Sequence, residues 1–167
     1  MNSQNPADTT LDLADLRILD ALQRDASQSN QALAAQVHVS PPTCLRRIKR
    51  LQDAGLIERR IAVLSLEKMA VVLGHGLTAI TEITLDRQGD EQLAAFETRA
   101  VSDDAVQQCY RVSPGPDFVL VVHVRDMPGY LALAQRLFTG DANVRNVKAF
   151  FSVKRSKFEP KLPLPLD

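Results

Sequence analysis

The chain has 167 residues, and its 20 lysines and arginines are balanced by 20 aspartates and glutamates, so that the formal net charge is zero. Hydrophobic residues make up 45% and charged residues 24%, which is typical of a soluble globular protein and excludes collagen, a coiled-coil rod or a wholly disordered chain. The length suits one domain or two small ones. Zero net charge argues at first against a surface built throughout for nucleic acid or an anionic membrane.

The cysteines and the apolar runs indicate the compartment. Cys44 and Cys109 are too few for a disulfide framework and too far apart for a CxxC pair, which predicts reducing surroundings. The first ten residues lack the basic and apolar segments of a signal peptide. Aliphatic runs such as residues 69–73 are far shorter than the roughly 20 residues that cross a bilayer. We therefore expect a cytoplasmic protein with no membrane partner.

The spacing of apolar residues predicts two helices near the beginning of the chain. Asp12, followed three residues later by Asp15, suits an N-terminal cap, and both carboxylates complement the positive end of the helix dipole. Apolar residues then recur at helical spacing, which predicts an amphipathic helix over residues 12–24. Ser29 offers a cap for a second, short helix that ends near His38.

A third predicted helix has the most informative sequence. Ser40 is a good cap residue, Pro41 is favoured at the first helical position, and Gly55 ends the helix. One stripe is apolar and is expected to be buried; it consists of Cys44, Ile48 and Leu51. Basic residues occupy most positions beside that stripe: Arg46, Arg47, Lys49 and Arg50.

A short helix, a tight turn and a capped basic helix predict a helix-turn-helix, in which the second helix enters the major groove of DNA. Arginine suits guanine there because its planar fork matches O6 and N7. The residues expected to reach base edges are Ser40, Pro41, Pro42, Thr43, Arg46 and Arg47. Those expected to contact phosphates and set the register are Lys49, Arg50, Arg59 and Arg60.

The distribution of charge favours this interpretation. Residues 40–63 carry six basic and two acidic side chains, a net charge of +4, whereas residues 8–39 carry two basic and five acidic, a net charge of −3. The alternative is a solvated basic face on a helical module that only mediates dimerisation. The combination of turn, cap, buried stripe and clustered arginines favours DNA.

The second half of the chain has a different pattern. Residues 56–64 include β-branched residues and predict a wing or linker strand. Further on, alternation predicts strands over 77–85, 105–112 and 147–153, and a run that is apolar on both faces except at His123 predicts a central strand over 118–124. Helical spacing predicts helices over 88–100 and around 130–137. This βαββαβ order is the ferredoxin-like plan of four antiparallel strands with two helices on one face. The predicted fold class is therefore α+β.

These patterns predict five parts, in chain order. They are a disordered N-terminus over 1–10, a winged helix-turn-helix domain over 11–60, a linker strand or hinge over 61–75, a ferredoxin-like effector-binding and oligomerisation domain over 76–157, and a Pro-rich tail over 158–167. Three prolines in the last nine residues preclude a regular element. We expect this tail to be mobile or to lie on the surface.

Three segments resemble the Lrp/AsnC, or feast/famine, transcriptional regulators: LDLADLRILD at 11–20, SPPTCLRRIKRL at 40–51 and AVQQCYRVSPGPDFVL at 105–120. The resemblance implies an N-terminal winged helix-turn-helix and a C-terminal βαββαβ effector domain. It also implies homodimers, commonly assembled into octamers, that respond to amino acids or related metabolites. It places the DNA-reading helix at 40–53, with Arg47 at the family's most typical arginine. Arg59 and Arg60 depart from the family's usual Gly and aromatic residue, and they add charge.

The resemblance also places an effector loop between the second and third strands. The loop comprises Val112, Ser113, Pro114, Gly115, Pro116 and Asp117. Pro114 occupies the family's usual Gly position and has no N–H to donate to a ligand carboxylate, although Gly115 could supply one. We therefore hypothesise an altered or absent amino-acid response. The alternative is a rigid turn in which Asp117 caps its own backbone.

Two other functions compete with a regulator. A tetrapyrrole (siroheme-type) decarboxylase on the same scaffold would use His123, Arg111 and Arg125, and a metabolite-sensing domain could have lost DNA binding. The basic helix argues against both. The sequence shows no catalytic set, no metal-ligand spacing and no cofactor motif. We therefore predict a sequence-specific DNA-binding transcriptional regulator, not an enzyme, whose partners are promoter DNA, further copies of itself and an amino-acid effector.

Overall fold

The computed structural model describes residues 10–74 and 76–166. The predicted disordered N-terminus, residues 1–10, lies outside the described residues except at its last position. His75, which belongs to the predicted hinge, lies outside them as well. Within the two described ranges, no helix combines the length and the hydrophobicity needed to cross a membrane.

The chain forms two compact units, each with its own hydrophobic core. The described residues up to Val63, together with those from Lys157 onward, are called the N-terminal unit, and Leu64–Ser156 is called the C-terminal unit. The Pro-rich tail therefore belongs with the beginning of the chain. Residues 152–166 form no helix or strand, as their prolines predict.

Three helices form the N-terminal unit: α1 over Leu13–Arg24, α2 over Asn30–Gln36 and α3 over Pro41–Asp53. Asp12 and Asp15 cap α1 reciprocally. The Asp15 N–H donates to Asp12 Oδ1 at 2.9 Å, and the Asp12 N–H donates to Asp15 Oδ2 at 3.1 Å. The Ser29 hydroxyl accepts a hydrogen bond from the Ala32 N–H and caps α2. Both predicted caps are confirmed.

The N-terminus of α3 is set by its turn and its prolines. His38 has a φ of 58° in the turn between α2 and α3. Ser40 occupies the cap position of α3, but its side chain makes no capping bond; its hydroxyl instead donates to Thr43 Oγ1 at 2.8 Å. Pro42 has no N–H to offer, so one of the usual donors for such a cap is missing.

Helix α3 ends just before Gly55, as the sequence predicts. Gly55 has a φ of 71°, a conformation that side chains with a Cβ rarely adopt. The Leu56 N–H donates to the Leu51 carbonyl at 3.0 Å, and the Gly55 N–H donates to the Gln52 carbonyl at 2.9 Å. This pair of bonds is a Schellman motif, which satisfies the last carbonyls of the helix.

The three helices meet in a small apolar core. The predicted stripe of α3 is buried in it, which confirms that prediction. The buried members of the core are Ile18, Ala21, Leu33, Ala34, Val37, Cys44, Ile48 and Leu51. Each large aliphatic side chain buried here contributes about 1.5–3 kcal/mol, and this burial holds α3 on α1 and α2.

The described structure has no strand where a wing or linker strand is predicted. Residues 56–65 form neither helix nor strand in the described part of the chain, and a helix, α4 over Leu66–Leu73, follows them. The Ser65 hydroxyl caps α4 by accepting from the Lys68 N–H at 3.3 Å. The β-branched composition suggested a strand, but a strand also requires a hydrogen-bonding neighbour, which composition alone does not reveal.

The C-terminal unit has the predicted βαββαβ order. Its elements are β1 over Leu77–Leu85, α5 over Asp90–Val101, β2 over Val106–Arg111, β3 over Phe118–Val124, α6 over Met127–Ala134 and β4 over Val144–Phe151. The four strands form one antiparallel sheet in the order β2-β3-β1-β4. A π-helical turn, Gln135–Thr139, extends α6. The ferredoxin-like plan is confirmed.

The two faces of this sheet differ. On one face, the alternating residues of β1 and β3 are buried under α5 and α6, whose Phe96 and Leu133 join the core. The opposite face keeps large apolar side chains in solvent. Ile80, Tyr110 and Phe150 are 43%, 52% and 45% exposed. Because β1 and β3 are the central strands, this uncovered face runs across the middle of the sheet.

Candidate DNA-binding helix and effector loop

The predicted DNA-reading residues lie on the first two turns of α3. The side chains of this group that are exposed are Ser40, Pro41, Pro42 and Arg46, with Thr43 half-buried beside them. The predicted phosphate-contacting residues, which are exposed as well, are Lys49, Arg50, Arg59 and Arg60. Arg47 differs from all of these, because it is turned toward α1.

Arg47 is held by the cap of α1. Its Nη1 lies 2.8 Å from Asp15 Oδ1 and 2.8 Å from Asp12 Oδ2. Arg50 reaches the second oxygen of the Asp15 carboxylate from the next turn of α3. The Asp15 side chain is 1% exposed, and a buried carboxylate requires such partners because it has lost its hydration. The four residues Asp12, Asp15, Arg47 and Arg50 are called the carboxylate–arginine cluster.

Hydrogen bonds and charges within the cluster favour the ionised forms of Asp12 and Arg47. The backbone N–H of Asp15 lowers the pKa of Asp12, and Arg47 lowers it further against a counteracting effect of burial. Hydrogen bonds from Arg47 to Asp15 and then to Asp12 raise the pKa of the guanidinium. The Nε of Arg47 is buried with no hydrogen-bond partner among the described residues. The position of Arg47 is therefore determined by the carboxylates.

A signal for this arrangement was present in the sequence. Arg47 lies three residues after Cys44 and four before Leu51, which places it at the border of the buried stripe of α3. The spacing of Asp12 and Asp15 by itself predicts only a cap. Within the described residues, Arg46 is the one basic residue of α3 without an acidic partner. Arg47 and Arg50 bind the cap of α1, and Lys49 Nζ lies 3.3 Å from Asp53 Oδ2.

The predicted effector loop joins β2 to β3 and is anchored at its end. The Val112 N–H donates to the Asp117 carbonyl at 3.0 Å, and the Asp117 N–H donates to the Ile83 carbonyl at 2.8 Å. The Asp117 carboxylate accepts from the Leu85 N–H at 2.7 Å and from Gln88 Nε2 at 3.3 Å. The prediction that Asp117 caps its own backbone is therefore wrong. Its carboxylate instead binds a backbone N–H of β1, at the point where the pairing of β1 with β4 shifts register.

The tip of the loop is open. Ser113, Pro114 and Gly115 are exposed, and they make no hydrogen bond within the described part of the chain. Gly115 has a φ of 125°, so its N–H is presented from a conformation that favours glycine. Pro116 and Val112 are half-buried at the base of the loop.

The residues required by the decarboxylase alternative are not brought together. Arg111 pairs with Phe118 at one end of β3, whereas His123 lies five residues further along, a separation of about 16 Å at the rise of a strand. Arg111 is bound to Glu97 at 2.8 Å, and His123 Nδ1 lies 2.9 Å from Thr78 Oγ1. Among the described residues, no group of His, Cys, Asp or Glu is arranged to hold a metal ion.

Comparison with known families matches both units. Residues 11–58 match the family described as winged helix-turn-helix DNA-binding. Residues 78–162 match the Lrp/AsnC ligand binding domain, which is half of the chain. The two matches follow one another in the order that the sequence predicts.

Individual proteins agree with these matches. The leucine-responsive regulatory protein of Rhizobium meliloti is 33% identical over 88% of this chain and 92% of its own. The crystal structure of an AsnC family transcriptional regulator from Agrobacterium tumefaciens superimposes with a TM-score of 0.80 at 29% identity, covering 92% of this chain and 97% of that one. A transcriptional regulator from Neisseria meningitidis, crystallised in complex with L-Met, has a TM-score of 0.77 at 28% identity, with the same coverage. This chain belongs to the Lrp/AsnC family of DNA-binding transcriptional regulators.

Proposed function

We propose that α3 reads promoter DNA chiefly through Arg46 and the residues of its first turn, and that Arg47 positions the helix. The observation that carries this is the contrast between two adjacent arginines. Arg46 is exposed with no acidic partner in the described residues, while Arg47 is only 24% exposed and bridges two carboxylates. A guanidinium must be free to form a bidentate contact with a guanine edge.

The remaining basic residues contribute nonspecific affinity. Lys49, Arg59 and Arg60 are exposed and suit phosphates, which position a protein on the duplex without reading sequence. Arg50 is shared, because its Nη2 binds Asp15 while its side chain remains 43% exposed. This arrangement makes binding dependent on salt, since each neutralised phosphate releases counterions.

The functional form in this proposal is a homodimer in the cytoplasm, with further assembly to an octamer. The support for association is the uncovered apolar face of the C-terminal sheet, where Ile80, Tyr110 and Phe150 are about half exposed. Apolar side chains across the centre of a sheet favour packing against a second sheet. Two copies would present two α3 helices to successive major grooves, as a two-fold operator requires.

The effector in this proposal is an amino acid held at residues 112–117. The support is the exposed tip of the loop and the relative from Neisseria meningitidis, whose structure is a complex with L-Met. Two features weaken the site in this chain. Pro114 has no N–H, and the Asp117 carboxylate already accepts from Leu85 and Gln88.

The two arginines are expected to behave differently when replaced. Arg46→Ala should relax base preference, at a cost of about 1–3 kcal/mol in discrimination, and should leave stability unchanged. Arg47→Ala should lower the free energy of unfolding by about 1–3 kcal/mol, because Asp15 stays buried with one partner fewer. Fluorescence anisotropy on a set of promoter variants and urea unfolding measure the two effects. Arg17→Ala, an exposed change on α1, is the control. Relaxed base preference in Arg47→Ala at full stability would assign the reading role to Arg47.

Acid should weaken the cap of α1. The pKa of Asp12 in the folded protein lies below its ordinary value of 3.8, so its stabilising effect is complete above that value and is lost as pH falls through the lower, folded pKa. We expect Asp12→Asn to be less stable than the wild type at neutral pH and to lose less stability below about pH 4. Urea unfolding between neutral and strongly acidic pH measures this. Asp104→Asn, in an exposed turn, is the control, and parallel curves for wild type and Asp12→Asn would contradict the role of Asp12.

Amino acids should bind weakly or not at all to the wild-type chain. Pro114→Gly restores an N–H at the tip of the loop and is expected to increase affinity for at least one amino acid. Isothermal titration calorimetry with the common amino acids measures both proteins. Tight binding of leucine or methionine by the wild type would refute the weakening that we assign to Pro114.

Association through the uncovered sheet face should be sensitive to charge. Ile80→Lys places an ammonium group in the centre of that face and is expected to yield monomers in sedimentation velocity. Leu131→Lys, on the solvent side of α6 where Leu131 is 62% exposed, should leave the assembly unchanged. Dissociation by Leu131→Lys, with Ile80→Lys still assembled, would place the interface elsewhere.

A further inference from the structure

The Pro-rich tail is bound to α1 by its main chain. Gln23 Nε2 donates to the Leu162 carbonyl at 3.2 Å, and Gln23 Oε1 accepts from the Leu162 N–H at 2.6 Å. One side-chain amide therefore satisfies both backbone groups of one extended residue, as a neighbouring strand would. This kind of contact holds a peptide in place independently of its side chain.

A salt bridge fixes the position of the tail along α1. Lys161 Nζ lies 2.7 Å from Asp20 Oδ1, and the two side chains are 26% and 11% exposed. Arg24 holds the other oxygen of the Asp20 carboxylate at 2.7 Å. Because this pair is more shielded than a surface pair, it adds specificity for a lysine immediately before the residue that Gln23 binds.

The tail also closes one side of an apolar groove within the N-terminal unit. The groove has a volume of about 430 Å³ and is lined by α1, by residues 56–63 and by the tail itself. Leu164 is half-buried there, next to side chains such as Leu22 and Ile57. The leucines of the tail alternate with prolines, which keep it extended and reduce the entropy lost on docking.

The tail is continuous with the sheet of the C-terminal unit. β4, the last strand, lies beside β1, the first: Ala79 pairs with Phe151, and the Ser152 N–H donates to the Thr78 carbonyl at 2.9 Å. The chain thus enters and leaves the sheet at adjacent strand ends. One of these ends leads back through α4 to Val63, and the other leads through residues 152–156 to the docked tail.

We propose that the surface of α1 formed by Asp20 and Gln23 is a docking site for the chain's own tail, and that the docked tail is a second tether of the N-terminal unit. With the tail bound, the N-terminal unit is joined to the adjacent ends of β1 and β4 by two segments. With the tail released, it is joined by one. Docking limits the freedom of α3 and so reduces the entropy lost when both copies of a dimer engage one operator. This last consequence rests on the proposed function, whereas docking and tethering do not.

Amide hydrogen exchange of the full-length chain, followed by NMR, tests docking. The Leu162 N–H should be protected, whereas that of Leu164, which has no hydrogen-bond partner in the described residues, should exchange freely. Gln23→Ala and Lys161→Ala should remove the protection, while Glu159→Ala, an exposed change in the same tail, should preserve it. Equal exchange of Leu162 and Leu164 in the wild type would overturn the docking site.

Backbone ¹⁵N relaxation of α1, α2 and α3 tests tethering in the same variants. Gln23→Ala and Lys161→Ala should shorten the apparent rotational correlation time of these helices, and Glu159→Ala should not. An unchanged correlation time, with the protection of Leu162 lost, would overturn the tether.

Affinity for a promoter fragment tests the functional consequence. Gln23→Ala and Lys161→Ala should weaken binding severalfold with base preference retained, since neither residue lies on α3. Unchanged affinity in released-tail variants would overturn the role of the tether in DNA binding. Failure of the wild type to bind any promoter fragment would instead refute the proposed function, and the exchange and relaxation results would still decide docking and tethering.

Discussion

The structure of the N-terminal unit depends on one buried carboxylate. Asp15 caps α1 and at the same time binds Arg47 and Arg50 of α3. Removing it from water is tolerable only because two guanidinium groups and a backbone N–H surround it. The same contacts set the position of α3 on α1, so the orientation of the helix that we propose reads DNA is decided by its contacts within the N-terminal unit.

This constraint divides the basic residues of α3 into two kinds. Arg47 stabilises the fold, and Arg46, one position earlier in the helix, faces solvent without a partner in the described residues. The net charge of the chain is zero, and part of the positive charge of residues 40–63 is neutralised internally. In the homodimer that we propose, a small free patch repeated in each copy would favour binding at defined sites over indiscriminate attraction to DNA.

In the C-terminal unit, contacts at both ends of β1 connect it to other parts of the chain. At one end, the N–H and carboxylate of Asp117 bind β1, so the aspartate of the predicted effector loop has a structural role in this chain. At the other end, β1 and β4 lie side by side where the chain leaves the sheet. The predicted effector loop and the segment that leads back to the N-terminal unit therefore contact opposite ends of β1.

Local features of this protein were determined by its sequence, because caps, Gly55 and the spacing of apolar residues act within a few positions of the chain. The three helices, the βαββαβ order and the buried stripe of α3 follow from them. Tertiary structure decided what depends on distant partners. Residues 56–65 pair with no strand in the described part of the chain. Arg47 binds Asp15, which lies 32 positions away in the sequence, and Leu162 binds Gln23, which lies 139 positions away. A sequence shows which hydrogen-bonding and charged groups each residue carries. Only the folded chain shows which distant group each of them contacts.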